Sequence, residues 1–447
     1  MNESSPRIVY LTAGAAGMYC GSCMHDNTLA AALTRLGVDV QLVPTYTPIR
    51  TDEGDVSSDR VFFGGVNVYL QQRFPFFRFL PAFVDGLLSH PRLLRWAASR
   101  GAELAPEQLG RLTVSMLRGE QGAQRKEVRR LCHWLATAVQ PHLVALTNML
   151  IGGCLPALKS ALRVPLVVTL QGDDVFLESL PAPYRLDALQ EIRRLVAFVD
   201  GFLVHSRYYA EFMRDYFGIP AEKLHVVPLG IDTRDFSSPV AAGAESPAAA
   251  TTVVSRPPTV GYLARLAPEK GLHILVEAFL QLRQLPGTAD ARLRIAGWLG
   301  ASQRAFAEDQ LARLRDAGLD PASVYAGSPA RRGKIAFLRE LDVLSVPTVY
   351  REPKGLYVLE SLAAGVPVVQ PAHGAFPELI AGTGGGCLVP PNDPQALAAT
   401  LRQLLLDRPR LARYADAGRR AVHERWNADT AARSTLTVLR RIAGDNF

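Results

Sequence analysis

Little in this chain can be held together by covalent staples. Five cysteines spread over 447 residues cannot form the dense disulfide framework of a small secreted scaffold, and they fit a reducing compartment. No uninterrupted apolar run approaches the roughly 18 residues of a membrane span. The opening Met1–Arg7 is polar and runs directly into Ile8-Val-Tyr-Leu. It lacks a basic segment followed by an apolar one, so no secretory signal is expected. Lysine is scarce: six of the 49 cations are Lys and the rest are Arg, within a net charge of +7. That excess of guanidinium suits phosphate or anionic surfaces. It forms no basic tract, which argues against nucleic acid. Asp-x-Asp occurs nowhere, and no His/Asp/Glu cluster has the spacing of metal ligands. A diphosphate ligand would therefore be neutralised by side chains and helix N–H groups, and no metal or other cofactor is expected.

Hydrophobic residues at 48% and charged residues at 20% describe an ordinary globular protein, long enough for two or three domains. Strand-like and helix-like segments alternate throughout, which predicts an α/β fold with parallel sheets. Strands are expected at Ile8–Leu11, Val38–Val43, Leu143–Leu146, Leu166–Leu170, Phe202–His205 and Leu224–Val227. A second series is expected at Thr259–Leu263, Leu293–Ala296, Val324–Tyr325, Val343–Val346 and Val366–Val369. Leu29, Leu33 and Leu36 share one helix face that Gly37 ends. The stretch 237–258 is rich in Ala, Ser, Thr and Pro and reads as a linker. It separates a first domain, 1–236, from a second, 259–426. Two such units predict a bilobal protein with ligands held beyond the carboxyl ends of the strands. Asn427 is a good N-cap for a last helix, 427–447.

A helical insertion is expected at about 66–126. Its segment 73–96 is aromatic and basic, beginning Arg73-Phe-Pro-Phe-Phe-Arg. It reads either as packing on the first domain or as a contact with an acceptor or a membrane surface.

Four motifs can carry chemistry. In Glu352-Pro-Lys-Gly-Leu-Tyr-Val-Leu-Glu360, Gly355 marks a passage from loop to helix. Free N–H groups at such a start suit phosphate, and the two glutamates would reach different parts of one extended ligand. Alone, the pair is also compatible with an exposed acidic helix. In Gly261-Tyr-Leu-Ala-Arg265-Leu-Ala-Pro-Glu-Lys270-Gly271, Arg265 and Lys270 can converge on one anion or serve as surface ion pairs. Gly14-Ala-Ala-Gly17-Met-Tyr-Cys20-Gly-Ser-Cys23-Met-His25-Asp26 follows the first strand and lets backbone approach a ligand. It is not G-x-G-x-x-G. Its lone C-x-x-C is better explained by packing or a substrate loop than by redox chemistry or zinc. Thr169-Leu-Gln171-Gly-Asp173-Asp174 ends a strand and is either a cleft site or a simple turn.

In this order, the motifs resemble the retaining nucleotide-sugar glycosyltransferases of family 4, with two Rossmann-like domains in the GT-B arrangement. Val227-Pro-Leu-Gly-Ile-Asp232, Ile295-Ala-Gly297, Asp342–Pro347 and Gly374-Ala-Phe-Pro-Glu378 carry the same resemblance. It implies transfer of a sugar from a nucleotide diphosphate to an acceptor hydroxyl, without a metal. It also implies a first domain for the acceptor, a second for the nucleotide sugar, and a last helix that returns to the first. Glu352 would hold donor-sugar hydroxyls, with Lys354, Gly355 and Leu356 along the sugar and diphosphate. Glu360 would take the ribose, and Arg265 and Lys270 the diphosphate. Gly297 and Ser328 would lie near the base. Gly17 would face the donor phosphate and acceptor, and Asp174 would match the family's carboxylate. Where many relatives carry a histidine, this chain has Gln171, which can donate to a sugar hydroxyl but cannot titrate near neutrality. The acceptor would be a carbohydrate or lipid-linked hydroxyl. The location would be cytoplasmic, or at the inner membrane surface through 73–96. An epimerase of the same fold or a silent sugar-nucleotide-binding relative is the alternative, and a sugar phosphorylase would need a cofactor-bearing lysine from a set of six.

Overall fold

Apolar and β-branched runs of two to six residues form the two sheets of the computed structural model. It describes residues 5–14, 20–58, 61–62, 105–237, 256–320, 324–444 and 447. The chain divides into two compact units, Met1–Leu229 with Ala428–Phe447, and Gly230–Asn427.

The first unit holds six parallel strands: β1 Arg7–Thr12, β2 Asp39–Pro44, β3 Leu143–Leu146, β4 Leu166–Thr169, β5 Gly201–Val204 and β6 Leu224–Val226. Their order is β2-β1-β3-β4-β5-β6. Alternate residues of β1 serve opposite layers, as the two-residue period of a strand requires. Ile8 and Tyr10 pack with Leu29, Ala32 and Leu33 of the helix Gly21–Arg35, and with Ala432, Leu436 and Leu439 of the helix Ala428–Ala443. Val9 and Leu11 pack with Val114 and Leu117 of the helix Pro106–Leu117, and with Leu131 of the helix Arg125–Trp134. An ion pair of 2.6 Å between Arg35 and Asp429 also links the first helix to the last.

The second unit holds five parallel strands: β7 Thr259–Leu263, β8 Arg292–Ala296, β9 Val343–Leu344, β10 Val368–Pro371 and β11 Gly386–Val389. Their order is β11-β10-β9-β7-β8. Each sheet reverses its direction of growth once, between β1 and β3 and between β7 and β9. Ligands of open α/β sheets gather outside the strand ends at such a reversal.

The strand predictions need three corrections. Val324–Tyr325 makes one isolated bridge, Ile295↔Tyr325. Val343–Val346 shortens to two residues: Ser345 N–H still donates to Gly261 O at 2.9 Å, but Val346 N–H meets the Gln370 side-chain oxygen at 3.3 Å. β11 was not anticipated: it starts at the last glycine of Gly384-Gly-Gly and has no β-branched residue before Val389.

The units meet in sequence at Leu229/Gly230, ahead of the expected linker. Arg331 and Arg339 bind the carbonyls of Asp232 and Phe236 at 2.7 and 2.8 Å, which ties that segment into the second unit. Residues 238–255, and 63–104 with the aromatic-basic segment 73–96, lie outside the described residues. Within the expected insertion, Pro106–Leu117 and Gly119–Gln121 are helical. Among the described residues, no helix is long and apolar enough to cross a membrane.

Candidate active site

The turn after β7 and the turn after β9 lie on either side of the second sheet's reversal. Lys270 closes the first turn and Glu352 belongs to the second. Backbone contact locks the two turns together. Val349 N–H donates to Glu269 O at 3.0 Å. Gly271 has φ +72°, and a Cβ there would stand 1.8 Å from Pro347 O, so no larger residue allows this approach.

The resulting knot is buried. Lys270 Nζ donates to Glu352 Oε2 at 2.8 Å, with the side chains 13% and 7% exposed. Tyr350 OH donates to the same oxygen at 2.7 Å and Tyr357 OH at 3.3 Å. Lys270 also contacts Tyr350 OH and lies over the rings of Tyr350 and Tyr357. Burial pushes the Glu352 carboxyl up, but Lys270 and the Tyr350 hydroxyl overcome it and hold the group at about 2. The result is a fixed carboxylate beneath an ammonium and two phenols. It can accept from sugar hydroxyls while the cation serves a phosphate.

Gly355 N-caps the helix Leu356–Ala363 with φ +79°. Leu356 is that helix's first residue, and its orphan N–H groups begin there. Lys354 is buried, and its N–H lies 3.4 Å from Glu352 Oε1. Glu360 lies further along the helix and meets a different cation, Lys334, at 2.5 Å. The two glutamates therefore rest on separate cations. Arg265 is partly exposed and pairs with Glu269 at 3.0 Å, so in this state Arg265 and Lys270 rest on separate carboxylates. Gly297 has φ +147° and a Cβ there would stand 1.7 Å from Ala264 O. Its N–H meets Gly327 O, next to the exposed Ser328.

In the first unit, Gln171, Asp173 and Asp174 follow β4. Asp173 accepts from Met149 N–H at 2.7 Å and Gln171 N–H at 3.1 Å. Burial nonetheless pushes its carboxyl up to about 7. It holds the loop rather than a ligand. Asp174 accepts from Tyr209 OH at 2.6 Å, and that oxygen accepts from Gly172 N–H at 2.9 Å. Burial raises Asp174 above the usual range against the opposing Tyr209 bond. Gln171 turns its amide nitrogen inward to Asp26 Oδ1 at 2.8 Å, so the donor expected for a sugar is already engaged. Gly17 lies outside the described residues. Cys20 N-caps the helix Gly21–Arg35 and Cys23 is buried in its first turn. Among the described residues, no three His, Cys, Asp or Glu side chains group as metal ligands.

Sequence reasoning missed Tyr350, Tyr357, Lys334, Tyr209 and Asp26 as members of these networks. Asp26 offered the best signal: a charge among residues that the helix buries, beside the glycine loop.

The profile for "Glycosyltransferase Family 4" matches residues 96–235, and that for "Glycosyl transferases group 1" matches 248–421. The two parallel sheets have the GT-B fold, and the two matched segments are similar to glycosyltransferases. It is 34% identical over 249 residues to a D-inositol 3-phosphate glycosyltransferase of Xylanimonas cellulosilytica, covering 55% of this chain and 58% of the relative. It is 32% identical over 235 residues to a putative colanic acid biosynthesis glycosyltransferase, WcaL, of Escherichia coli, covering 50% and 53%. The chain thus spans a little over half the length of these curated relatives. Among solved structures, the sucrose-phosphate synthase of Thermosynechococcus elongatus shares the fold with a TM-score of 0.69 at 19% identity, covering 98% of this chain and 99% of that one. Anabaena HepE in complex with UDP does so with a TM-score of 0.64 at 17% identity, covering 97% and 100%.

Proposed function

We propose that this chain transfers a hexosyl group from a nucleotide diphosphate sugar to an acceptor hydroxyl, with retention and without a metal. The observation that carries this reading is the buried Lys270–Glu352–Tyr350 knot beside the free helix start at Gly355. A sugar diphosphate needs both halves of that arrangement: carboxylate acceptors for its hydroxyls, and N–H groups with cations for its phosphates. Glu360, set apart and paired with Lys334, suits the ribose. Gly297 and Ser328 suit the base. HepE has been solved with UDP and with UDP-glucose, and a mycobacterial relative is GDP-mannose-dependent by name. Both support a nucleotide-sugar donor.

In the mechanism, the donor's diphosphate lies over the Gly355 helix start, with Lys354 and Leu356 beside it. Arg265 and Lys270 leave their glutamates in part to meet the charge that grows on the departing phosphate. Contacts that strengthen as the bond breaks lower the barrier. Glu352 holds the sugar ring while it gains positive character. Among the described residues, Glu352 and Glu360 pair with separate lysines, which offers no close carboxylate pair for a double displacement. The acceptor proton passes instead to the leaving phosphate oxygen on the same face, which retains the anomeric configuration. We assign a carbohydrate or lipid-linked acceptor to the first unit, near Asp174, and a cytoplasmic location that includes the inner membrane surface.

Purified protein incubated with UDP-glucose, UDP-N-acetylglucosamine and GDP-mannose, with sugar and polyprenyl-phosphate-sugar acceptors, tests this reading. One donor should release its nucleotide and yield an α-linked product by proton NMR. A β-linked product overturns retention. Epimerised donor with no transfer supports the epimerase instead, and nucleotide binding without turnover supports a silent binder.

A further inference from the structure

Cys20 and Cys23 meet at the start of a helix, although the mechanism above gives them no task. The parallel strands β1 and β2, with the helix Gly21–Arg35 between them, form a βαβ unit. Cys20 N-caps that helix three residues ahead of Cys23. Side chains so spaced share one face, about 5–6 Å apart at Cβ, close to the separation that a disulfide bridges. The two sulfurs interact directly: the Cys20 side chain, ahead of burial, is the foremost influence pushing the Cys23 thiol up. Cys23 is buried, and its sulfur also lies 3.9 Å from Thr12 Oγ1. Cys20 is only partly buried against the same core.

Packing, one expectation from the sequence, does not account for the pair. The Cys20 side chain caps no helix N–H, where serine, threonine or aspartate would. A partly exposed thiol stands there instead, beside orphan N–H groups that favour negative charge. That is the setting in which cysteines act as nucleophiles. Cys23 behind it keeps its proton, screened by Thr12 and the core. One sulfur thus reaches solvent, and a second stands ready to resolve what forms on the first, as in C-x-x-C dithiols at a helix start. The same turn is tied to a second strand end. Ser22 Oγ, between the two cysteines, donates to the backbone oxygen of Gln171, after β4, at 3.4 Å.

We propose that Cys20 and Cys23 are a redox-modification site, which a low-molecular-weight disulfide closes into a protein disulfide that reversibly slows transfer. The Cys20 thiolate attacks one sulfur of the reagent, whose S–S bond breaks and releases one thiol. Cys23 then gives up its proton and attacks the Cys20 sulfur, releasing the second thiol. The protein loses two electrons and two protons, and the reagent leaves as two reduced molecules. Closure draws the Cys20 sulfur to about 2.05 Å from that of Cys23, which the core holds in place. The helix start that Ser22 ties to the turn after β4 shifts with it. A transient disulfide of this kind is compatible with a reducing compartment. The bond stands independently of the functional reading above; its effect on transfer rests on that reading.

The test equilibrates the full chain with mixtures of reduced and oxidised glutathione, quenches it in acid, alkylates free thiols and maps the peptides by mass spectrometry. Transfer is followed in parallel with the donor identified as above. Oxidation should leave the peptide carrying Cys20 and Cys23 unalkylated and lighter by two hydrogens. It should lower kcat several-fold, and dithiothreitol should reverse both changes. C23S should stop with glutathione on Cys20, because the resolving thiol is gone. C20S should leave the buried Cys23 unmodified, and C20S/C23S should keep most of the reduced wild-type kcat in every mixture. Alkylation of both cysteines after oxidation, a disulfide that leaves kcat unchanged, or equal inhibition of C20S/C23S overturns the proposal. If the variants do not fold, the wild-type map decides: the proposal falls unless loss of kcat tracks the Cys20–Cys23 bond rather than oxidation of Cys132, Cys154 or Cys387. If no nucleotide sugar is turned over, the functional reading fails, and the map alone decides whether the pair closes.

Discussion

Replacing Lys270 by Met should expose the electrostatic debt carried by Glu352. The pair is almost dry, with side chains 13% and 7% exposed, so removing the cation strands a carboxylate among phenol rings. The magnitude follows from the carboxyl's displacement. Its usual value is 4.5 and the site holds it at about 2, a gap equivalent to about 3.4 kcal/mol at about 1.36 kcal/mol per pH unit. That gap is the net of burial against Lys270, Tyr350 and Lys354 together; breaking a buried pair by removing one partner typically costs about 3–5 kcal/mol. In wild type, this depressed acid stabilises the fold fully above pH 4.5, and the contribution is lost as pH falls towards 2. In K270M, burial is no longer opposed by the ammonium, and the folded-state pKa rises. The variant's penalty should therefore be largest at pH 7 and shrink as acid neutralises Glu352. Calorimetry between pH 4 and 8, resolving the transition of each unit, measures this. K270M/E352Q should recover much of the loss at pH 7, having no stranded charge. A K270M penalty that is independent of pH, or equal in the double variant, would refute the reasoning.

Other outcomes follow from the same geometry. EDTA should leave turnover intact, because Arg265, Lys270 and the Gly355 helix start supply the positive charge; activity lost in EDTA and restored by magnesium or manganese contradicts this. E352Q should lower kcat, since its carboxylate meets the moving sugar, whereas E360Q should chiefly raise the donor KM through a contact made equally in both states. Free-nucleotide affinity weakened by E352Q but not by E360Q reverses those roles. The Cys20→Ser/Cys23→Ser variant should keep most of its activity and stability, and metal analysis should find no stoichiometric zinc. One zinc per chain would remove that claim.

Much of the second unit was legible because local rules and tertiary structure agree there. Gly355 between a loop carboxylate and an amphipathic segment marks a helix start, and the structure caps the helix at that residue. The separate partners of Glu352 and Glu360 follow from eight-residue spacing across that cap. Sequence spacing could not show that Tyr350 and Tyr357 close over Glu352, because their approach depends on how two turns lock. Nor could it show that Arg265 rests on Glu269 while Lys270 reaches Glu352. In the first unit, Gln171 was visible as a departure from the resembling family, but its amide direction depends on Thr147, 24 residues away, and on Asp26, 145 away. β11 escaped notice because a glycine-rich approach masks a short strand that sheet pairing sustains.

The last helix gives the chain a temporal asymmetry. Leu29, Ala32 and Leu33 near the start share a core with Leu436 and Leu439 near the end. Some 400 residues must be synthesised between them, which at about 5–20 residues per second takes roughly 20–80 s. The whole second unit, Gly230–Asn427, is synthesised within that interval. The first-made unit is therefore the last to be completed. Its apolar flank waits for a cover that arrives only after the intervening unit has been synthesised.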